Sequence, residues 1–191
     1  MSIEDKKEDK SRELTVCILA SGSRGNSIFV SDGSASILFD AGLSGIQIER
    51  RLASRGLDPG KLSAIVVSHE HNDHIQGVGV LARRYGLPVY INQKTMAAAA
   101  AHLGKIQSIV NFECGRAFTI ESLTIHPFSI SHDAEDPAGF TVYRNGTKIG
   151  IATDLGIATS MVKEHLKGCA LLVLEANHDP HMLSTGPYPW P

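Results

Sequence analysis

Apolar residues at the start of the chain fall in short, β-rich runs: LTVCILAS over 14 to 21, NSIFVSD over 26 to 32 and SILFDAG over 36 to 42. Gly, Ser, Asn and Asp turns divide them, which predicts three sequential antiparallel strands. The period then changes. In SGIQIERRLASRG, 44 to 56, Ile48 and Leu52 lie one helical turn apart, Ser44 suits an N-cap and Gly56 a stop, so a surface helix is expected. A continuous apolar strand is expected over 61 to 71, followed by a helix near 75 to 86, the strand LPVYIN and an Ala-rich helix over 93 to 103. QSIVNFE, FTIESLTIHPFSIS, GFTVYRNGTKIGIATD and ALLVLEA read as further strands, with RNGT a hairpin turn and 160 to 168 a short helix. Strands thus arrive in two batches, each followed by helices. Two sheets with helices packed on their outer faces bury such a pattern, an α+β arrangement.

Composition narrows the picture without changing it. The 191 residues hold one real core, and 18 basic against 20 acidic residues leave a formal charge of −2. No global field advertises a nucleic-acid or membrane surface, so any polyanion must be held locally. Cys17, Cys114 and Cys169 are an odd set at unrelated spacings, which fits buried free thiols in a reducing compartment. No apolar run approaches the ~20 residues of a membrane helix, and the N-terminal run is charged throughout. A cytoplasmic location without a membrane partner is expected, with residues 1 to 13 a disordered polar tail and 14 to 191 one domain.

The chemistry concentrates in SHEHNDHIQG, which follows the fourth apolar run. His69, His71, Asp73 and His74 stand where a loop after a strand can turn them toward one point, and alternation sends His69 and His71 to the same side. Neutral imidazole suits zinc, iron and manganese, and carboxylate widens the preference toward harder ions. A general acid/base pair needs only one or two such groups, so this density indicates a metal site; the competing reading is a solvated polar loop. His132, in FSISHD, and Asp154, in GIATDLG, end later strands aimed in the same way. Together they complete a two-metal site in which one carboxylate bridges ions ~3.5 to 4 Å apart.

His-x-His-x-Asp-His after a strand, a later single His, an Asp in ATDLG and an early SGSRGNS loop resemble the metallo-β-lactamase fold hydrolases. More narrowly, SGSRGNS, the FDAGLS run, SHEHNDHIQG, ATDLG and LEANHD resemble a bacterial branch, WalJ/YycJ-like, described as DNA exonucleases acting from 5′ ends. The resemblance implies a four-layer αββα sandwich, in agreement with the two batches of strands. It implies that His69, His71 and His132 hold one divalent ion (Zn, Mn or Fe), that Asp73 and His74 hold a second, and that Asp154 bridges. A water activated between the ions attacks phosphorus, Asp73 accepts or orients its proton, and Glu175 in LEANHD matches a Glu that steadies a His near the leaving group; by itself it reads equally as a strand-end Glu in a surface ion pair.

SGSRGNS reads by itself as a tight turn; the resemblance assigns Ser23 and Asn26 to substrate or water, and Arg24 supplies a phosphate-binding charge. HDPH, with His178 and His181, either approaches the site or lies on the surface. His102, His126 and His165 have no cluster partners and are expected to be ordinary surface or cap residues. One departure stands out: family members continue to a final His in a Gly-His-Leu-Ser setting, whereas this chain stops at GPYPWP, so the domain is expected to lack its C-terminal portion and to expose strand edge. The function expected is a metal-dependent phosphodiesterase, a DNA exonuclease with DNA ends as partner. The alternatives are an esterase or thioesterase of the same fold, or a metal-binding module with little turnover. A nuclease needs cations near the metals, for which Arg24, Arg83 and Arg84 are the candidates.

Overall fold

The computed structural model describes residues 14 to 175, and within them the two batches of strands form two sheets. The expected N-terminal tail, His178, His181 and GPYPWP lie outside the described residues. The first sheet holds, in spatial order, β1 (Thr15–Ala20), β2 (Ser27–Ser31), β3 (Ser36–Phe39), β4 (Ala64–Val66), β5 (Val89–Ile91) and β6 (Ile109–Asn111). β1 to β3 are antiparallel, as their tight turns predict, while β3 to β6 run parallel. Parallel neighbours require crossovers. These are α1 (Gly45–Ala53) between β3 and β4, α2 (Asn72–Ile75) and α3 (Val78–Tyr85) between β4 and β5, and α4 (Gln93–Leu103) between β5 and β6.

The second sheet is an antiparallel meander of β7 (Phe118–Ile120), β8 (Leu123–Ser129), β9 (Ala138–Arg144) and β10 (Thr147–Ala152). The RNGT hairpin forms as expected, with Asn145 and Gly146 at φ 46° and 80°, the left-handed pair that a two-residue turn between twisted strands demands. Helix α5 (Ser160–Leu166) then returns the chain to β11 (Leu171–Leu174), which lies parallel to β10 at the sheet edge. Leu171, Leu172 and Leu174 on that edge are exposed.

Two apolar layers account for most of the core. Ile28, Val30, Ile37 and Phe39 of the first sheet meet Ile125, Phe140, Val142 and Ile151 of the second. Leu38, Ile65 and Val89 face outward against Ile48 and Leu52 of α1, Leu81 of α3 and Leu103 of α4. A smaller cluster seats Val162 of α5 against Phe128, Ile130 and Ala152. The result is the αββα sandwich. No helix among the described residues is long and apolar enough to cross a membrane.

Two expected boundaries shift, and both shifts serve the rim of the first sheet. The strand expected over 61 to 71 is regular only at Ala64–Val66, because the Ser68 N–H donates to the Asp40 carboxylate at 2.8 Å and the chain leaves the sheet. The helix expected over 75 to 86 divides at Gly77. A Cβ there would lie 2.4 Å from the Leu43 carbonyl oxygen, and the Gly77 N–H donates to Ala41 O at 2.7 Å, so only glycine permits this approach.

At the opposite rim, one carboxylate clasps the sheets together. Asp32, in the turn between β2 and β3, accepts the backbone N–H groups of Ser34 and Ala35 and the Ser122 hydroxyl, and pairs with Arg144 Nε at 2.7 Å. Burial alone would raise its pKa, but the Ser122 hydroxyl, the two N–H groups and the Arg144 charge outweigh it and hold the carboxyl below its ordinary range. A depressed folded-state pKa contributes stability that is intact above the unfolded value of about 4 and is lost as pH falls through the folded value. Asp32→Ala is expected to destabilise the fold by about 2 to 3 kcal/mol at neutral pH, since it strands Arg144 and the buried Ala35 N–H. In urea titrations the deficit should begin to shrink below about pH 4, where the unfolded chain takes up the proton first, and close as pH falls through the lower folded value.

Candidate metal centre

Each candidate side chain stands just beyond the end of a strand. β3 ends into Asp40 and β10 into Asp154, and both residues take left-handed backbone at φ 57° and 55°. Asp tolerates that region better than most residues, and the sharp turn aims each carboxylate across the strand end. Because β4 is the parallel neighbour of β3, Asp40 lies beside Ser68, and the following loop presents His69 and His71 before α2 delivers Asp73 and His74.

Three chain segments meet closely here. The Asn26 N–H donates to Asp73 O at 2.7 Å, the Gly42 N–H to Asn26 O at 2.8 Å and the Ala41 N–H to His74 O at 2.8 Å. A Cβ on Gly42 would fall 1.5 Å from the Asp73 carbonyl oxygen, so this junction depends on glycine.

Asp40 Oδ2 accepts the Ser68 hydroxyl at 2.7 Å and His74 Nδ1–H at 2.8 Å. Having donated its one proton, the Ser68 oxygen can only accept from His69 Nδ1, 2.9 Å away. A single carboxylate therefore settles the Nδ1 proton of both imidazoles, directly for His74 and through Ser68 for His69. Both rings turn Nε2 inward. His69 Nε2 is buried with no hydrogen-bond partner, and His74 Nε2 faces Asp154 Oδ2 at 2.8 Å.

Ligand atoms of His69, His71 and His132 lie within 4.8 Å of one another, and so do those of His69, His74 and Asp154. An unpartnered, buried imidazole nitrogen shared by two such groups is a donor set that divalent zinc, manganese or iron fits. The electrostatics agree. Burial, together with the positive charge of His74, keeps His69 well below its usual pKa, leaving it neutral as a ligand must be. Burial disfavours the charge on His74 too, yet the Asp40 and Asp154 carboxylates prevail and push its pKa up to about 10, so a cation held at Nε2 takes the place of a proton there. Against its own burial, Asp154 is held well below the usual carboxylate range, first by its close pairing with His74. The pocket is thus negatively biased and attracts a cation.

The remaining expected residues are placed as follows. Asp73 lies at the margin, its Oδ2 3.8 Å from His74 Nε2 and its side chain 28% exposed. Asn26 is buried, accepts the Gly22 N–H at 2.9 Å and places Nδ2 3.0 Å from His74 Nε2. Ser23 and Arg24 are exposed on the same turn. Glu175 accepts the Asp154 backbone N–H at 2.8 Å. Arg83 and Arg84 are occupied elsewhere: Arg83 Nη1 donates to Leu103 O at 2.7 Å, and Arg84 pairs with Glu49. His165 stacks on Phe128 and His126 meets Tyr143 edge-on, away from the cluster as expected. Asp40 and Ser68 were not among the expected site residues, although an Asp ending an apolar run is the same signal that singles out Asp154.

A family model described as "Beta-lactamase superfamily domain" matches residues 35 to 186. The chain is 41% identical over 179 residues to "Exodeoxyribonuclease YycJ" of Bacillus anthracis, covering 93% of this chain and 68% of that protein. It is 40% identical over 177 residues to "Exodeoxyribonuclease WalJ" of Streptococcus pneumoniae, covering 91% and 66%. The chain thus spans about two thirds of the length of these relatives. Among solved structures, zinc-bound PqqB of Methylobacterium extorquens superimposes with a TM-score of 0.66 at 17% identity, covering 84% of this chain and 72% of that one. YhfI of Bacillus subtilis, a metallo-β-lactamase fold protein, gives 0.61 at 18% identity, covering 74% and 64%.

Asp40→Asn keeps the shape but removes the charge and one of the two acceptor oxygens, both of which are in use. Zinc affinity, measured by competition with a chromophoric chelator, is expected to fall about 10- to 100-fold, the usual cost of losing an outer-shell partner. An unchanged affinity would show that the Nδ1 protons are fixed by something other than Asp40.

Proposed function

Because the chain belongs to the metallo-β-lactamase superfamily, we propose that it is a metal-dependent hydrolase whose substrate is a phosphodiester, and that it acts on DNA as an exonuclease from 5′ ends. The observation that carries this reading is the pair of ligand groups that share His69, with its unpartnered Nε2 at their junction. Relatives of about 40% identity named as exodeoxyribonucleases support the choice of substrate.

In this reading His69, His71 and His132 would hold one divalent ion and Asp73 and His74 a second, with Asp154 a candidate ligand for either. Bound ions supply a water whose pKa falls from 15.7 to about 7 and offset charge on the phosphate oxygens. The protein's own groups do the rest. Asp73, at the margin and partly open to solvent, receives the proton of the attacking water. Asp40 and Ser68 keep the two imidazoles in the tautomer that points Nε2 inward. Glu175 accepts the Asp154 backbone N–H and so steadies the left-handed turn that aims the Asp154 carboxylate. Arg24, exposed on the 21 to 25 turn and the free member of the three expected arginines, meets the phosphate backbone of the strand.

The test is degradation of linear duplex DNA bearing a 5′-phosphate by the manganese- or zinc-loaded chain, with a thioester substrate assayed in parallel. His69→Ala and Asp154→Asn should each abolish DNA turnover, and Asp73→Asn should lower it about 10²- to 10⁴-fold while circular dichroism stays unchanged. Arg24→Ala should raise KM more than it lowers kcat and flatten the salt dependence. Thioester hydrolysis without DNA turnover would replace this reading with an esterase.

A further inference from the structure

We propose that Glu70, the residue between two candidate ligands, is a positioning residue that draws the His132 loop onto the His69–His71 segment so that three imidazoles can close on one cation. This rests on the metal-dependent reading of the site. Glu70 Oε1 accepts the backbone N–H of Glu135 at 2.8 Å, across a sequence separation of 65 residues. Its other oxygen, Oε2, is buried with no hydrogen-bond partner among the described residues.

The tie matters because of what the loop carries. Residues 131 to 137, between β8 and β9, contain no regular secondary structure, so external contacts must fix their course. At the base, the Ala138 N–H donates to Ser68 O at 3.1 Å, and Asn92 Nδ2 donates to Asp136 O. Near the tip, three residues beyond His132, the Glu70 carboxylate supplies the second attachment to the histidine segment. His132 precedes these attachments and follows Ser131, whose carbonyl accepts the Gly156 N–H at 2.8 Å; it brings Nε2 to 3.1 Å from His71 Nδ1, with ring centroids 4.8 and 4.9 Å from His69 and His71. Among the described residues, no other imidazole of this group comes from the second sheet. The partner of Glu70 is a backbone amide rather than a cation, and the same loop carries Asp133, Glu135 and Asp136. An acceptor oxygen at the right reach, not a negative charge, is what the geometry uses.

That distinction sets the experiment. Zinc affinity is measured by chelator competition for the full chain and for Glu70→Ala, Glu70→Gln and Glu70→Asp, each checked for an unchanged thermal melt. Alanine is expected to weaken binding about 10- to 100-fold. Glutamine, which keeps the acceptor, should stay within about threefold of the parent. Aspartate keeps the charge but withdraws the oxygen by one methylene; it should follow alanine, and it serves as the reading should the alanine variant not fold. In a His132→Ala background, Glu70→Ala should add nothing, because Glu70 acts through His132. Zinc binding that is undiminished in the alanine and aspartate variants, or a loss that persists without His132, overturns the role of Glu70 alone. Failure of the parent chain to bind zinc overturns the metal reading, and the role of Glu70 with it.

Discussion

Everything at the active rim depends on one buried carboxylate serving two imidazoles. Asp40 accepts His74 directly and His69 through the Ser68 hydroxyl, so two proton positions are settled by a single charge. A neutral histidine has one acceptor nitrogen, and which one it is decides whether the ring can bind a cation placed on its inner side. Without the shared carboxylate, each ring would choose its tautomer independently, and only one of the four resulting combinations would present an acceptor nitrogen from both rings. The backbone contributes as well: the Ser68 N–H that leaves β4 is satisfied by Asp40 Oδ1, so the departure of the chain from the sheet and the orientation of the ligands share one residue.

The two ends of the sandwich use buried carboxylates for different purposes. Asp32 is saturated by two N–H groups, a hydroxyl and a guanidinium, and its negative charge is spent on joining the first sheet to the second. At the other rim Asp154, Asp40 and Asp73 gather around imidazoles, with no Lys or Arg bonded to them among the described residues, and the surplus negative field is left for a cation. Burial makes both arrangements effective, since a low local dielectric strengthens each pairing.

Much of this was legible in the chain itself, for identifiable reasons. The strands of both sheets announce themselves because Val, Ile and Phe runs are bounded by Gly, Asn and Asp, and RNGT is a turn almost regardless of context. Density exposes the candidate ligands in SHEHNDH. The residues that escaped are those whose role exists only between segments. Asp40 ends an apolar run like many capping aspartates, and nothing local reveals that His74 will arrive opposite it. Ser68 and Glu70 are ordinary loop residues until β3 and the 131 to 137 loop come alongside. Arg83 and Arg84 failed in the other direction: as basic residues they suit a phosphate, but the packing of α1, α3 and α4 had already committed them to Glu49 and to the last carbonyls of α4. The split between α2 and α3 is likewise a contact effect, since Gly77 becomes a break only because Leu43 and Ala41 approach it.

The left-handed backbone at Asp40 and Asp154 carries a consequence for laboratory evolution of this protein. A non-glycine residue in that region costs on the order of 1 kcal/mol, and glycine would relieve it at both positions. A screen that rewards heat resistance alone would therefore favour glycine at the two sites where a carboxylate is needed most, and its winners would be hardier proteins with a dismantled centre. Selection for catalysis pulls the other way, so these two turns are places where robustness and activity compete for the same codon.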